Sequence, residues 1–99
     1  MTPEEISVQV EQKEHRGAFF IEREGQRLAE LTFSATPDGK LVILDHTDVS
    51  ESLRGHGIAR KLVEAAVAWA RRTNVKLVPL CPFAKAVFDR EPEFGDVRA

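Results

Sequence analysis

The segment Val49-Ser50-Glu51-Ser52-Leu53-Arg54-Gly55-His56-Gly57-Ile58-Ala59 joins an extended apolar stretch to an amphipathic helix through two glycines. At a helix start the first backbone N–H groups have no intrahelical acceptor, and the aligned peptide dipoles leave partial positive charge there. Gly55 and Gly57 remove side chains where those amides point outward, and Arg54 adds a fixed cation beside them. This is an anion site of the kind that holds a pyrophosphate. The plainer alternatives are glycines that only end a loop and one more surface arginine. Two further residues suit covalent or proton chemistry. Cys81 ends an apolar stretch just before Pro82, where a helix starts, and a helix N-terminus favours the thiolate. Lys85, four residues on, adds positive charge; the alternative reading of Cys81 is a small buried hydrophobe. His46 follows the apolar run at residues 41–44, so one face of its strand looks toward the same region. Imidazole is the side chain best suited to general-base work near neutral pH, so His46 is either an acceptor-amine base or a satisfied structural side chain. Asp45 and Asp48 polarise His46 or cap the strand end. His56 lies in the loop and points to solvent, and His15 reads as a turn residue. The three histidines lack metal-ligand spacing, so no metal is expected.

The elements that must position these residues come from a chain of 99 residues, read as one domain over residues 1–99. A net charge of -2 gives no electrostatic case for nucleic acid or an acidic membrane as partner. No apolar run is long enough to span a bilayer and no cationic-then-apolar leader follows Met1, so a cytoplasmic location is expected. The single cysteine excludes an internal disulfide and any multi-cysteine metal site.

The first half reads as short strands. Ile6, Val8 and Val10 alternate with polar residues, the pattern of a half-buried strand. Residues 18–21 form a second strand and residues 28–33 a third. Arg23-Glu24-Gly25-Gln26 between them is a hairpin turn with Gly25 at positive φ. Thr36-Pro37-Asp38-Gly39 is another turn and leads into Leu41-Val42-Ile43-Leu44, whose continuous apolarity predicts a central strand covered on both faces. From about Gly57 to Thr73, Ile58, Leu62, Ala65, Ala66 and Trp69 recur at helical spacing. Arg60, Lys61, Glu64, Ala68, Arg71 and Arg72 fill the remaining arc, which faces water. Asn74 is the expected C-cap. Residues 75–80 form a last strand, parallel to the one before the loop because a helix connects them. Pro82 opens a short helix that runs to about Arg90 and Pro92 stops it.

Arg54-Gly55-His56-Gly57-Ile58-Ala59 fits the pattern Gln/Arg-x-x-Gly-x-Gly/Ala of the GNAT acetyltransferase superfamily, with Arg54, Gly57 and Ala59 at the defining positions. Asp45-His46-Thr47-Asp48-Val49 before the loop and Leu77-Val78-Pro79-Leu80-Cys81-Pro82-Phe83 after the helix narrow the likeness. Together they resemble the small, minimal GNAT-like proteins of bacteria and eukaryotes, over roughly residues 40 to 97. The resemblance implies an α+β acetyl-CoA-binding fold: a mixed, mostly antiparallel sheet with a long helix and a short C-terminal helix. It implies that the strands on either side of the long helix splay apart. The pantetheine arm then lies in the gap, on main chain at about residues 45–49, Asp48 and Val49 included. The pyrophosphate sits on the amides of Leu53, Arg54, Gly55, His56, Gly57, Ile58 and Ala59. Lys61, Arg60 and Lys85 are candidates for the nucleotide's additional phosphate. In the resembled proteins the cysteine equivalent to Cys81 lies near the acetyl thioester. The chain departs from larger relatives in lacking the amino-terminal helices that shape an acceptor pocket. It also has no tyrosine, the usual acid for the departing CoA thiolate.

The function these readings imply is N-acetyl transfer from acetyl-CoA, as co-substrate, to a primary amine such as a protein lysine, a polyamine or another small amine. Main-chain N–H near Val49 polarises the thioester carbonyl, His46 takes the amine proton, and Cys81 serves as acid or as acyl-accepting nucleophile. The missing tyrosine motivates a rival, a non-catalytic acyl-CoA sensor or adaptor. A plain interaction domain with a coincidental loop is the third possibility.

Overall fold

The structure is a computed structural model and describes residues 7–99. Ile6 of the expected first strand lies outside the described residues. Five strands run in the order β1-β2-β3-β4-β5 across one sheet: β1 Gln9–Lys13, β2 Arg16–Arg23, β3 Gln26–Ala35, β4 Leu41–Val49 and β5 Lys76–Pro79. The first four pair antiparallel and β5 pairs parallel to β4, as the helical connection requires. Helix α1 (Ile58–Thr73) is that connection, and α2 (Pro82–Arg90) follows β5. This is the expected mixed, mostly antiparallel α+β architecture.

Two tight turns build the amino-terminal meander. Glu24 and Gly25 both have positive φ, the backbone a two-residue hairpin needs. Gly17 has a different role: a Cβ there would collide with the Phe33 ring and the Glu11 carbonyl. Its absence lets Phe33 lie across β2 and join Phe19 and Trp69, with ring centroids 5.2 to 5.4 Å apart. Helix α1 buries Ile58, Leu62 and Ala66 of the row read from the periodicity, leaves Ala65 and Trp69 half-buried at its margin, and adds Val63, Val67 and Ala70 to the buried face. Asn74 ends it in the left-handed conformation with its N–H on the Ala70 carbonyl.

Three expectations need correction. Strand β1 is an edge strand whose own side chains, Val10 included, are exposed, because α1 does not extend over it; Val8, just before it, is half-buried against the core as expected. The run at residues 41–44 is covered on one face only. Val42 and Leu44 are fully buried, Leu41 is exposed and Ile43 half-buried, because both helices pack on the same side of the sheet. Arg71 is not simply solvated: its guanidinium grips both Asp96 carboxylate oxygens at 2.9 Å and the Glu93 carbonyl at 3.0 Å. It thereby ties α1 to the final turn of chain.

Two features of β4 set up the site. Its pairing with β5 stops at Leu44↔Pro79, and the Cys81 N–H on the Leu44 carbonyl at 2.9 Å closes the last rung. Beyond it, residues 45–49 have β3 on one side and no strand on the other. At the same point the register against β3 shifts: Phe33 pairs with Leu44 and Thr32 with His46, leaving Asp45 as the extra residue of a bulge. The bulge reverses the alternation. Val42 and Leu44 face the helices, and past Asp45 it is Thr47 and Val49 that do so, opposite buried Leu31 and Ala29. His46 and Asp48 are turned to the open face and are exposed.

Candidate active site

The free edge of β4 runs directly into the glycine loop. A 3₁₀ turn at Glu51–Leu53 plugs buried Leu53 into the core and leads to Arg54. The Arg54 Nε donates to the Val49 carbonyl at 3.3 Å, which fastens the loop to the end of the strand. Gly55 has φ +85° and Gly57, the residue before α1, has φ +67°. A side chain in the left-handed region costs roughly 1–2 kcal/mol, so both positions call for glycine on backbone grounds. The open space around each glycine means that no packing requires it. The first intrahelical bond of α1 is Lys61 N–H to the Gly57 carbonyl at 3.1 Å. The amides of Ile58, Ala59 and Arg60 ahead of it therefore point out of the helix without an intrahelical acceptor. They open on a cavity of about 220 Å³ walled by Val49, Leu53, Arg54, Gly55, Gly57, Ile58, Ala59, Arg60 and Phe83. Free amides, left-handed glycines and the dipole's positive end fit a diphosphate.

Of Lys61, Arg60 and Lys85, Arg60 lines this cavity and carries an ion pair to Glu91 at 2.6 Å, while half-buried Lys61 lies outside the cavity wall. Lys85 sits one turn into α2, bonded to Asp89 at 2.9 Å, outside the cavity wall. His56 is exposed within the loop. An apolar lip flanks the cradle: Phe83 reaches the cavity and neighbouring Leu80 is 66% exposed, the most exposed of the large hydrophobic side chains among the described residues.

Cys81 stands at the vertex where β4 and β5 part. It is the N-cap of α2, with Pro82 at the first helical position, and its carbonyl takes the Lys85 N–H at 2.9 Å. The residue is buried, and its Sγ lies 3.2 Å from the Thr47 Oγ1. Burial pushes the thiol pKa up. The Thr47 hydroxyl and the nearby amides of Ala84, Phe83 and Thr47 outweigh it, holding the thiol below its ordinary value. Those α2 amides approach the sulfur without closing a formal capping bond.

The structure thus gathers Leu53, Arg54, Gly55, Gly57, Ile58 and Ala59 with Val49 and Phe83 around one cavity, with His56 outside its wall and Cys81 at the head of the gap. It does not bring His46 to the sulfur: His46 projects from the open face of β4, as Asp48 does, whereas the Cys81 Sγ lies beside Thr47 on the helical side. Asp45 holds the Ser34 hydroxyl at 2.7 Å and does not polarise the imidazole. Thr47, Phe83 and Leu80 were not singled out in the sequence. The helical turn after Pro82 gave a signal for Phe83; none pointed to Thr47. A broader hollow of about 620 Å³ lies on the sheet's open face at β1–β3. Arg27 bridges Glu11 and Glu30 there, stacked 4.0 Å over the Phe20 ring. Neither Cys81 nor the glycine loop lines it.

Residues 18–97 match the family model described as GCN5-related N-acetyl-transferase. The chain belongs to the GCN5-related N-acetyltransferases. The match spans β2 through the last turn of chain, so it takes in the loop, the open half of β4 and Cys81. A GCN5-like protein from Staphylococcus aureus, described as a candidate N-acetyltransferase, is 36% identical with a TM-score of 0.67. The likeness covers 92% of this chain and 87% of that one. The ribosomal-protein-alanine N-acetyltransferase of Brucella melitensis biovar Abortus 2308 is 23% identical, TM-score 0.60, over 88% of this chain and 64% of its own. AAC(6')-Iy, in complex with the bisubstrate analogue CoA-S-monomethyl-acetylneamine, is 17% identical, TM-score 0.54, over 84% of this chain and 63% of its own. These last two show the fold alone. No curated protein resembles the sequence closely enough to count as a match. No helix among the described residues of this acetyltransferase is long and apolar enough to cross a membrane.

Proposed function

We propose that this acetyltransferase acts as a single cytoplasmic domain, moving acetyl from acetyl-CoA to a primary amine on a protein lysine, a polyamine or another small amine. The observation that carries the reading is the continuity of an unpaired strand edge with an anion cradle. Residues 45–49 have no strand along one side and suit an extended arm, and the amides of residues 55–59 suit its diphosphate; the expected Leu53 and Arg54 amides are not free, because they donate to the Ser50 and Glu51 carbonyls at 2.9 and 3.2 Å. The exposed apolar lip of Leu80 and Phe83 suits the uncharged stretch of the same arm. Arg60 lines the cavity and is the better placed of the candidates for a further phosphate; to contribute, it would have to leave Glu91, as Lys85 would have to leave Asp89.

Acetyl-CoA supplies the activated thioester. The protein's residues supply the rest. The acceptor must arrive as a neutral amine, and exposed His46 takes its proton from the open face. Main-chain N–H near Val49 polarises the carbonyl as the amine nitrogen bonds to its carbon and the carbon–sulfur bond breaks. The departing thiolate needs one proton, which the Cys81 thiol gives from the helical face. Alternatively Cys81 first accepts the acetyl as its own thioester and the amine then displaces it. Placement of His46 on the open face of β4 and the Cys81 Sγ on its helical side suits two separate proton tasks better than one coupled pair.

Titration calorimetry with acetyl-CoA, followed by CoA release over a panel of amines, tests the reading. Binding at about a hundred times the dissociation constant should add roughly 2.7 kcal/mol to stability. Amine-dependent release above the hydrolysis blank supports transfer. Binding without such release would point to a non-catalytic acyl-CoA sensor, and no binding to a plain interaction domain.

A further inference from the structure

Val42, Leu44, Thr47 and Val49 form the row that β4 presents to the helices, and Thr47 is its one polar member. Thr47 is half-buried and pairs across the ladder with Leu31, which is fully buried. A hydroxyl in such a row costs stability unless bonded, while valine has nearly the same volume and the same β-branched stiffness. Packing alone therefore gives no reason for threonine. Its bond gives one: the Thr47 Oγ1 lies 3.2 Å from the Cys81 Sγ, 34 residues away in sequence. The cysteine backbone is itself pinned at the last rung between β4 and β5 by its N–H on the Leu44 carbonyl.

We propose that Thr47 is the positioning residue for Cys81, its hydroxyl fixing the sulfur at the head of the β4–β5 gap and donating to the thiolate. This rests on the reading of Cys81 as a reacting group. The bond serves both protonation states: the thiol donates to Oγ1, and the thiolate accepts from it. Charged groups on the surrounding elements are engaged elsewhere or turned away. Lys85 of α2 holds Asp89, Arg60 of α1 holds Glu91, Lys76 of β5 holds the Asp96 carbonyl, and Asp45 of β4 holds Ser34. His46 and Asp48 project from the other face. The sulfur's setting is made by neutral donors, and Thr47 is the one side chain among them.

The chain contains no tyrosine and one cysteine, so ultraviolet thiolate absorbance reads Cys81 without phenolate interference. The native protein is titrated beside Thr47→Val, Thr47→Ser and a Cys81→Ser blank. Thr47→Val should raise the Cys81 midpoint by about one pH unit and slow iodoacetamide alkylation at neutral pH about tenfold. Thr47→Ser should restore both. In acetyl transfer Thr47→Val should lower kcat and leave the KM for acetyl-CoA in place. A native midpoint and alkylation rate in folded Thr47→Val overturns the assignment; Thr47→Ala is the second hydroxyl-free variant should valine disturb the fold. The titration uses no acetyl-CoA. Failure of the native protein to transfer acetyl would sink the acetyltransferase mechanism, while the Thr47–Cys81 assignment is decided by the midpoint alone.

Discussion

Residues 41–44 of β4 are paired to β3 on one side and β5 on the other, whereas residues 45–49 have β3 alone. In the closed half, Val42 and Leu44 are fully buried and every backbone edge is used. In the open half, Thr47 and Val49 are half-buried, His46 and Asp48 exposed, and one edge has no partner strand, only the Arg54 guanidinium on the Val49 carbonyl at its end. The same strand is thus fully paired at one end and one-sided at the other, the half to which the proposed function gives ligand chemistry, and the bulge at Asp45 marks the change. An unpaired edge inside a protein is a cost unless something pairs with it. Here the edge leads to free helix amides, and under the proposed function the co-substrate is what pairs with it.

The comparison predicts that lesions in the two halves separate binding from folding. The largest effect belongs to Gly57→Val, at the far end of the open half. A branched side chain at φ +67° strains the loop and crowds the amides, so acetyl-CoA binding should be lost while the circular dichroism spectrum stays native. Normal calorimetric binding in this variant would remove the loop from the site. Leu44→Ala, in the closed half, should do the reverse. Removing a fully buried leucine costs about 2–5 kcal/mol, read by denaturant unfolding, with the affinity of the folded fraction unchanged.

His46→Gln should lower turnover about a hundredfold near neutral pH without changing acetyl-CoA affinity. Unchanged turnover across pH would return His46 to a surface role. Arg54→Ala removes one cation and the bond to the Val49 carbonyl but leaves the amides, so affinity should fall only several-fold, by about 1 kcal/mol. The smallest effect is expected at the closed edge. Arg71 holds the Asp96 carboxyl below its ordinary pKa, and Lys85 and Arg98 do the same for Asp89. Groups lowered in the folded state stabilise it above their unfolded pKa, and that contribution is lost as pH falls through the folded value. The melting temperature should therefore drop on acidification below about pH 4. Asp96→Asn should flatten part of that drop without altering binding.

Much of this was legible in the amino-acid order. Helical periodicity marked α1 and its buried face, Asn74 its end, and Gly25 its hairpin, because these are short-range preferences of backbone and side chain. The left-handed backbone at Gly55 and Gly57 was readable for the same reason: glycine at positive φ needs no distant partner. What tertiary structure decided was which way side chains face and where pairing stops. Simple alternation from Val42 and Leu44 carries His46 and Asp48 to the helical side. The bulge at Asp45, which exists only in register with Phe33 and Thr32 of β3, turns them outward and brings in Thr47. The Thr47–Cys81 contact, the Arg71–Asp96 tie and the room Gly17 leaves for Phe33 each join residues far apart in the chain. No local preference encodes them, because a pleat fixes a side chain's face only once its register against a neighbouring strand is known.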